Sequence, residues 1–128
     1  MEKFELKESI KVPRILIDYN NGDIKLTGRS TLNNPHEFYP RIMELFQLYV
    51  DKPKPKTNVL IDLEYYSKES ATYLFEIIKM LSKLSEENKS ETRIFWHFDP
   101  DDYGIIGDIN KLKTELNCNI IAIEYELA

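Results

Sequence analysis

After an opening pair of strands, strand-like and helix-like segments alternate along the chain, and this order predicts an α/β fold with the succession β-β-α-β-α-β-α-β. Three observations carry the prediction. An Asn-Gly turn separates two β-branched runs near the N-terminus, later apolar runs have the length and composition of strands, and the segments between them place apolar residues at helical spacing. Strands joined through helices need right-handed crossovers, so the sheet is expected to be mixed and mostly parallel, with an N-terminal antiparallel hairpin.

The hairpin rests on residues 13–20 (PRILIDYN), which follow a polar lead, and on Asn21-Gly22, where both residues tolerate positive φ in a tight turn. Ile24, Leu26 and Gly28 then alternate with Asp23, Lys25 and Thr27, as a strand with one buried face requires. Asn34, Pro35 and Glu37 signal a helix start through a cap, a first-turn proline and a capping-box acid. Ile42, Leu45, Phe46 and Tyr49 mark one face of that helix to about residue 50. Pro40 either kinks the helix or is its true start. Residues 51–56 (DKPKPK) form a basic, proline-rich turn, and residues 57–63 (TNVLIDL) read as a strand buried on both faces. Ala71, Leu74, Phe75, Ile78 and Leu81 define a helix over residues 69–87, and residues 92–98 (TRIFWHF) a further strand. Asp99-Pro100-Asp101-Asp102 reads as the cap, first-turn proline and dipole-favoured acids of a third helix reaching residue 116, with a last strand at 119–125.

A chain of 128 residues suits one domain spanning 1–128 and buries enough apolar surface to fold without disulfide or metal. Its hydrophobic share of 42% and charged share of 30% exclude wholesale disorder. With 17 basic and 22 acidic residues the net charge is −5, which argues against nucleic acid as a partner. Cys118 is the single cysteine and is expected to be a small core residue, and His36 and His97 stand too far apart for a zinc pattern. The charged N-terminus and the lack of a long apolar run point to a cytoplasmic protein with no membrane association and no cofactor.

Tests for catalysis return little. The acidic run from Asp99 fails the calcium-loop pattern, because Tyr103 stands at the fifth position, which needs an oxygen ligand, and Asn110 at the twelfth, which needs a bidentate Glu. Gly22, Gly28, Gly104 and Gly107 are scattered and build no phosphate loop. His97 either points out of its strand or sits satisfied in the core, with no orienting partner in view. An enzyme would have to use Asp62, Glu64, Asp99, Asp101 and Asp102 around a divalent metal, and that reading stays open as a rival, as does a constitutive structural homodimer. The junction at residues 63–72 is richer. It joins the most apolar strand to the most regular helix, at the carboxyl strand end where open α/β sheets bind ligands. Ser67, Ser70 and Thr72 surround the helix start, where free N–H groups favour an added phosphate, and Tyr65 and Tyr66 offer contact area. Ser67 is at the same time a plain N-cap candidate.

Three blocks resemble one family. Gly28-Arg29-Ser30 with residues 33–40 (NNPHEFYP), residues 62–71 (DLEYYSKESA) and residues 96–102 (WHFDPDD) are similar, in order and spacing, to the SiaC family of bacterial regulatory phosphoproteins. The resemblance runs from about residue 10 to the C-terminus. It implies a STAS-like fold and a non-enzymatic, partner-switching signalling protein. It also implies phosphorylation near the start of the second helix by a serine/threonine kinase, reversal by a PPM-type phosphatase, and binding to a diguanylate cyclase in cyclic di-GMP signalling. Here the family's acceptor position holds Lys68, the next serine is Glu69, and the family's lysine is replaced by Thr72. Ser70 and Ser67 are therefore the expected acceptors. The alternative is a member that has lost phosphorylation and binds constitutively. The expected contact surface is Tyr65, Tyr66, Ser67, Lys68, Glu69, Ser70 and Thr72, flanked by Asn34. The oligomeric state is left open.

Overall fold

A computed structural model of the chain describes residues 2–116 and 119–126, so Cys118 lies outside the described residues. The elements run β1 (Lys3–Leu6), β2 (Arg14–Asp18), β3 (Asp23–Ser30), α1 (Pro35–Asp51), β4 (Lys56–Tyr66), α2 (Lys68–Glu86), β5 (Glu91–Phe98), α3 (Tyr103–Glu115) and β6 (Ile120–Glu124). The strands form one sheet in sequence order. β1–β2 and β2–β3 pair antiparallel, while β3 to β6 pair parallel.

Register places the apolar residues in continuous rows. Phe4, Ile17, Ile24, Val59, Ile94 and Ile120 lie side by side, and Leu6, Ile15, Leu26, Ile61, Trp96 and Ala122 form the next row. These rows join Ile42, Leu45 and Phe46 of α1, Leu74, Ile77, Ile78 and Leu81 of α2, and Ile105, Ile109 and Leu112 of α3 in one hydrophobic core. A strand order that advances steadily in one direction, with every crossover right-handed, puts all three helices on one side. The other side carries the row Leu16, Lys25, Leu60, Phe95 and Ile121, of which only Leu16 is buried.

Several expectations change. The polar lead contains a strand: Phe4 and Leu6 alternate with Lys3 and Glu5, and β1 adds a sixth strand at the sheet edge. β4 is not buried on both faces, since its inward residues Thr57, Val59, Ile61 and Leu63 alternate with more exposed ones. Helices on a single side leave Leu60 and Asp62 facing an open surface.

The hairpin loop is also longer than a two-residue turn. Asp18 pairs with Asp23, only Gly22 among the loop residues takes positive φ (75°), and Asp18 Oδ1 accepts the N–H groups of Asn20 and Asn21 at 3.0 Å each. These bonds hold the Asp18 carboxyl below its usual pKa. α1 begins at Pro35 and carries Pro40 inside it, while Asn34 makes no side-chain cap bond. α3 starts three residues later than expected, because Asp102 rather than Asp99 is the cap and its Oδ1 accepts from Ile105 N at 3.0 Å.

Candidate functional site

The parallel strands β3 to β6 end on the side where α1, α2 and α3 begin, so three helix N-termini gather at one sheet end. β4 reaches furthest. Its pairing with β5 stops at Ile61, while its pairing with β3 continues to Tyr66 opposite Ser30. Between Leu63 and Tyr65 the register slips by one residue, leaving Glu64 as a bulge. Simple alternation would send Tyr65 inward after Leu63. The extra residue sends Tyr66 inward instead and leaves Tyr65 52% exposed. Arg29 lies 5.9 Å over the Tyr65 ring and 3.7 Å from Glu64 Oε1, so this tip is charged and aromatic at once.

Tyr66 is committed to the fold. Its OH donates to Asp108 Oδ2 at 2.6 Å, and its ring meets Phe75 edge-on at 6.0 Å. Burial first, and the hydrogen bond to a carboxylate second, push its phenol far above the ordinary range. Tyr66 thus braces β4 against α3.

α2 starts as expected at Ser67, whose Oγ accepts from Ser70 N at 3.1 Å and whose own N–H donates to Ser30 O at 2.9 Å. Ser70 has no exposed surface. Its Oγ accepts from Ser30 Oγ at 2.9 Å, and Ser30 Oγ in turn bonds Tyr39 OH at 2.5 Å. Tyr39, fully buried and with its phenol raised by that burial, stacks on Tyr73 at 5.2 Å. Tyr73 OH bonds His36 Nδ1 at 2.6 Å, tying the first turn of α1 to α2. Helix α2 is therefore fixed by a polar chain inside, while Lys68, Glu69 and Thr72 stay exposed on its outer side.

The expected contact residues thus divide. Tyr65, Lys68, Glu69, Thr72 and Asn34 are exposed, Ser67 and Tyr66 are half-buried, and Ser70 is sealed. Ser70, an expected acceptor, has its hydroxyl hydrogen-bonded inside the core with no exposed surface. Sequence reasoning passed over Lys111 and Asp108. A cleft of about 490 Å³ between α2 and α3 is lined by Ala71 and Phe75 and by the polar side chains of Ser67, Lys68, Thr72, Asp108 and Lys111. The helical period of α3 alone could have placed Asp108 and Lys111 on neighbouring turns, but not opposite α2.

The acids of the rival metal reading are spread over separate local tasks. Asp62 accepts from Tyr125 OH, Glu64 lies near Arg29, Asp99 Oδ1 accepts from Asp101 N at 2.9 Å, and Asp102 caps α3. Among the described residues no group of three or more His, Cys, Asp or Glu is arranged to hold a metal ion. His97 is half-buried beside the fully buried Trp96. No helix among the described residues is long and apolar enough to cross a membrane.

Fold and corner define a class: a small mixed α/β protein whose helices cover one side of a six-stranded sheet and all begin at the carboxyl ends of its parallel strands. Residues 6–125 match the SiaC family of regulatory phosphoproteins, and the chain belongs to that family. A search of curated protein sequences returns no match. Among solved structures, SiaC of Pseudomonas aeruginosa superposes with a TM-score of 0.83 at 14% identity, covering 98% of this chain and 100% of the other. A chain in the crystal structure of the diguanylate cyclase SiaD in complex with its activator SiaC, from the same organism, gives a TM-score of 0.83 at 13% identity, with 95% and 99% covered. Apo-SiaC of P. aeruginosa gives 0.82 at 14% identity, with 96% and 99% covered.

Proposed function

We propose that this protein is a non-enzymatic signalling regulator of the cytoplasm that binds a protein partner through the β4–α2 corner. The partner class we favour is a diguanylate cyclase, in keeping with the SiaD–SiaC complex that shares this fold. The observation that carries the reading is the division of labour at the corner. Buried hydroxyls fix α2 in place, while Tyr65, Lys68, Glu69 and Thr72 face outward. An aromatic ring beside mixed charges is suited to a partner interface, where aromatic and arginine groups carry much of the affinity.

Family membership supports regulation by phosphorylation: a phosphoryl group of charge about −1.5 to −2 placed on this corner would change its electrostatic fit without refolding the domain. A serine/threonine kinase and a PPM-type phosphatase would add and remove it. With Ser70 sealed, the hydroxyls left at the corner are Ser67 and Thr72.

The test is a double charge reversal, Lys68→Glu with Glu69→Lys. Both side chains are exposed, so the unfolding free energy should hold within about 0.5 kcal/mol. Affinity for the cyclase encoded by the same cell should fall at least about tenfold, equivalent to about 1.4 kcal/mol. Unchanged affinity, read by calorimetry, would remove the corner as the contact surface.

A further inference from the structure

We propose that the outer edge of β6 pairs antiparallel with the same edge of a second copy of this chain, about a two-fold axis at Ala122. β6 is the last strand of the sheet, and among the described residues no strand lies beyond it. An open edge presents a row of backbone donors and acceptors ready to pair with another chain. The two edges of this sheet differ. At β1 the charged Lys3 and Glu5 alternate with Phe4 and Leu6 in a four-residue strand, and charges on a short strand blunt that edge. β6 (IIAIE) carries neither proline nor lysine, and its one charge is Glu124 at the end.

The backbone of β6 is sorted by alternation. Tyr125 N–H donates to Phe98 O at 2.9 Å, continuing the ladder to β5. Ile121 and Ile123 share that orientation, so the N–H and C=O groups of Ile120, Ala122 and Glu124 point outward. A two-fold axis at Ala122 sets Ala122 opposite its own copy and Ile120 opposite Glu124 of the second copy. Every outward N–H of one strand then meets an outward C=O of the other.

Side chains agree with this register. On the helix-free side, Ile121 and Ile123 meet Ile123 and Ile121 of the second copy as cross-strand β-branched pairs. They extend the half-buried row Leu60, Phe95 and Ile121 into a continuous apolar patch. On the helix side the residue at the axis is Ala122, the smallest of the strand, which leaves room for α3 of each copy.

Charge is complementary as well. In α3, Asp108 and Lys111 line the cleft toward α2, Glu115 lies 4.0 Å from Lys79 of α2, and Ile105, Ile109 and Leu112 are buried. Helical spacing turns Lys113 to the opposite flank, which borders the β6 edge. Lys113 stands in the last turn of α3, at the Ile120 end of β6. The register brings Glu124 of the second copy to that same end, on the same side of the sheet. Neither Lys113 nor Glu124 joins an ion pair among the described residues, and both are exposed. The carboxyl strand ends of the two copies point in opposite directions, so both β4–α2 corners stay open and self-pairing does not compete with partner binding.

Sedimentation velocity of the full chain should show a concentration-dependent rise from one chain to two. Hydrogen exchange should slow at the Ile120, Ala122 and Glu124 amides as the dimer forms, while Ile121 and Ile123, bonded to β5 throughout, stay protected at every concentration. Ala122→Pro removes an outward donor that a single copy does not use, and Ile123→Lys puts a charge into the isoleucine patch. Each should weaken the dimer at least about tenfold, since the axis repeats the loss. Lys113→Glu should weaken it about threefold, and adding Glu124→Lys should restore it. A chain that stays monomeric at high concentration, or a dimer whose outward β6 amides exchange unchanged, overturns the pairing. Protection of those amides only on adding a different protein assigns the edge to an extended segment of that partner and overturns it equally.

Discussion

Helix α1 carries a fully buried tyrosine near each end, and each closes a chain of small hydroxyls. At the carboxyl end of the parallel strands, Tyr39 bonds Ser30, and Ser30 bonds Ser70. At the amino end, Tyr49 OH bonds Thr57 Oγ1 at 2.6 Å, and Thr57 bonds Ser90 Oγ at 2.7 Å. The chemistry is nearly the same, and so is its local effect: helix, strand and following segment are held in register by groups that cannot remain unpaired in the core. The amino end even borders the larger cleft, about 640 Å³, beside Pro53 and Pro55. What differs is the surface next to each chain. The amino end closes on its own backbone, with Asn58 N donating to Gly22 O at 2.8 Å and Glu91 N to Pro55 O at 2.8 Å. The carboxyl end opens onto three helix starts and the exposed Tyr65, Lys68 and Thr72. A buried hydroxyl chain is thus a structural device in both places, and the two ends differ in what the framework holds outward.

The sharpest way to break this comparison uses the two positive-φ glycines, one at each end. Gly22 has φ 75°, and a Cβ there would stand 2.3 Å from the backbone oxygen of Lys56, which cannot move aside without disturbing β4. Gly22→Ala should cost about 2–4 kcal/mol, the sum of a left-handed backbone penalty and overpacking. Gly28 has φ 96°, yet its Cβ would meet only Glu8 Oε2 at 2.7 Å, the free end of a flexible side chain. Gly28→Ala should cost about 1–2 kcal/mol. Urea unfolding measures both, and equal costs would mean that the carboxyl end is as tightly closed as the amino end.

A second, smaller pair removes one hydroxyl from each chain. Tyr39→Phe and Tyr49→Phe each leave two hydroxyls that still bond one another, so each should cost about 1–2 kcal/mol. Their effects on partner binding should part: Tyr39→Phe loosens the seat of Ser70 and weakens binding at the α2 corner, while Tyr49→Phe leaves affinity unchanged. Similar losses from both would place the binding surface elsewhere.

How much of this was readable beforehand depended on whether the deciding interaction was local. The helix patterns, the Ser67 cap and the parallel crossovers were legible, since spacing, capping chemistry and chirality act over a few residues. The three blocks that resemble the family's motifs led to the family the chain belongs to. The four-residue hairpin loop was missed because the Asp18 side chain, not Asn21, organises it. The edge strand β1 was missed because two apolar residues between charges are a weak signal until β2 supplies a partner. At the corner, the burial of Ser70 follows from its meeting with Ser30, 40 residues away in sequence, and the place of Lys111 in the cleft from α3 packing beside α2. No pattern within either segment announces those contacts.

The smallest expected effect concerns alkaline pH. At the carboxyl end, Tyr66 and Tyr125 both have phenols pushed up by burial and by a carboxylate that accepts their hydrogen bond, Asp108 and Asp62 respectively. A folded-state pKa raised above the unfolded value of about 10 gives stability that is complete below pH 10 and is lost as pH rises, because only the unfolded chain then releases the proton. Near the amino end Tyr19, whose OH donates to Leu45 O at 2.8 Å, is raised by burial alone. Tyr66→Phe should therefore flatten the fall in unfolding free energy above pH 10, by at most about 0.8 kcal/mol at pH 10.5 and less where solvent screens the phenol. Tyr19→Phe, lacking a carboxylate partner to lose, should change the alkaline slope less. Equal slopes in the two variants would show that the acids at the carboxyl end add nothing to burial, and that the electrostatic contrast between the two ends is confined to the outer surface of α2.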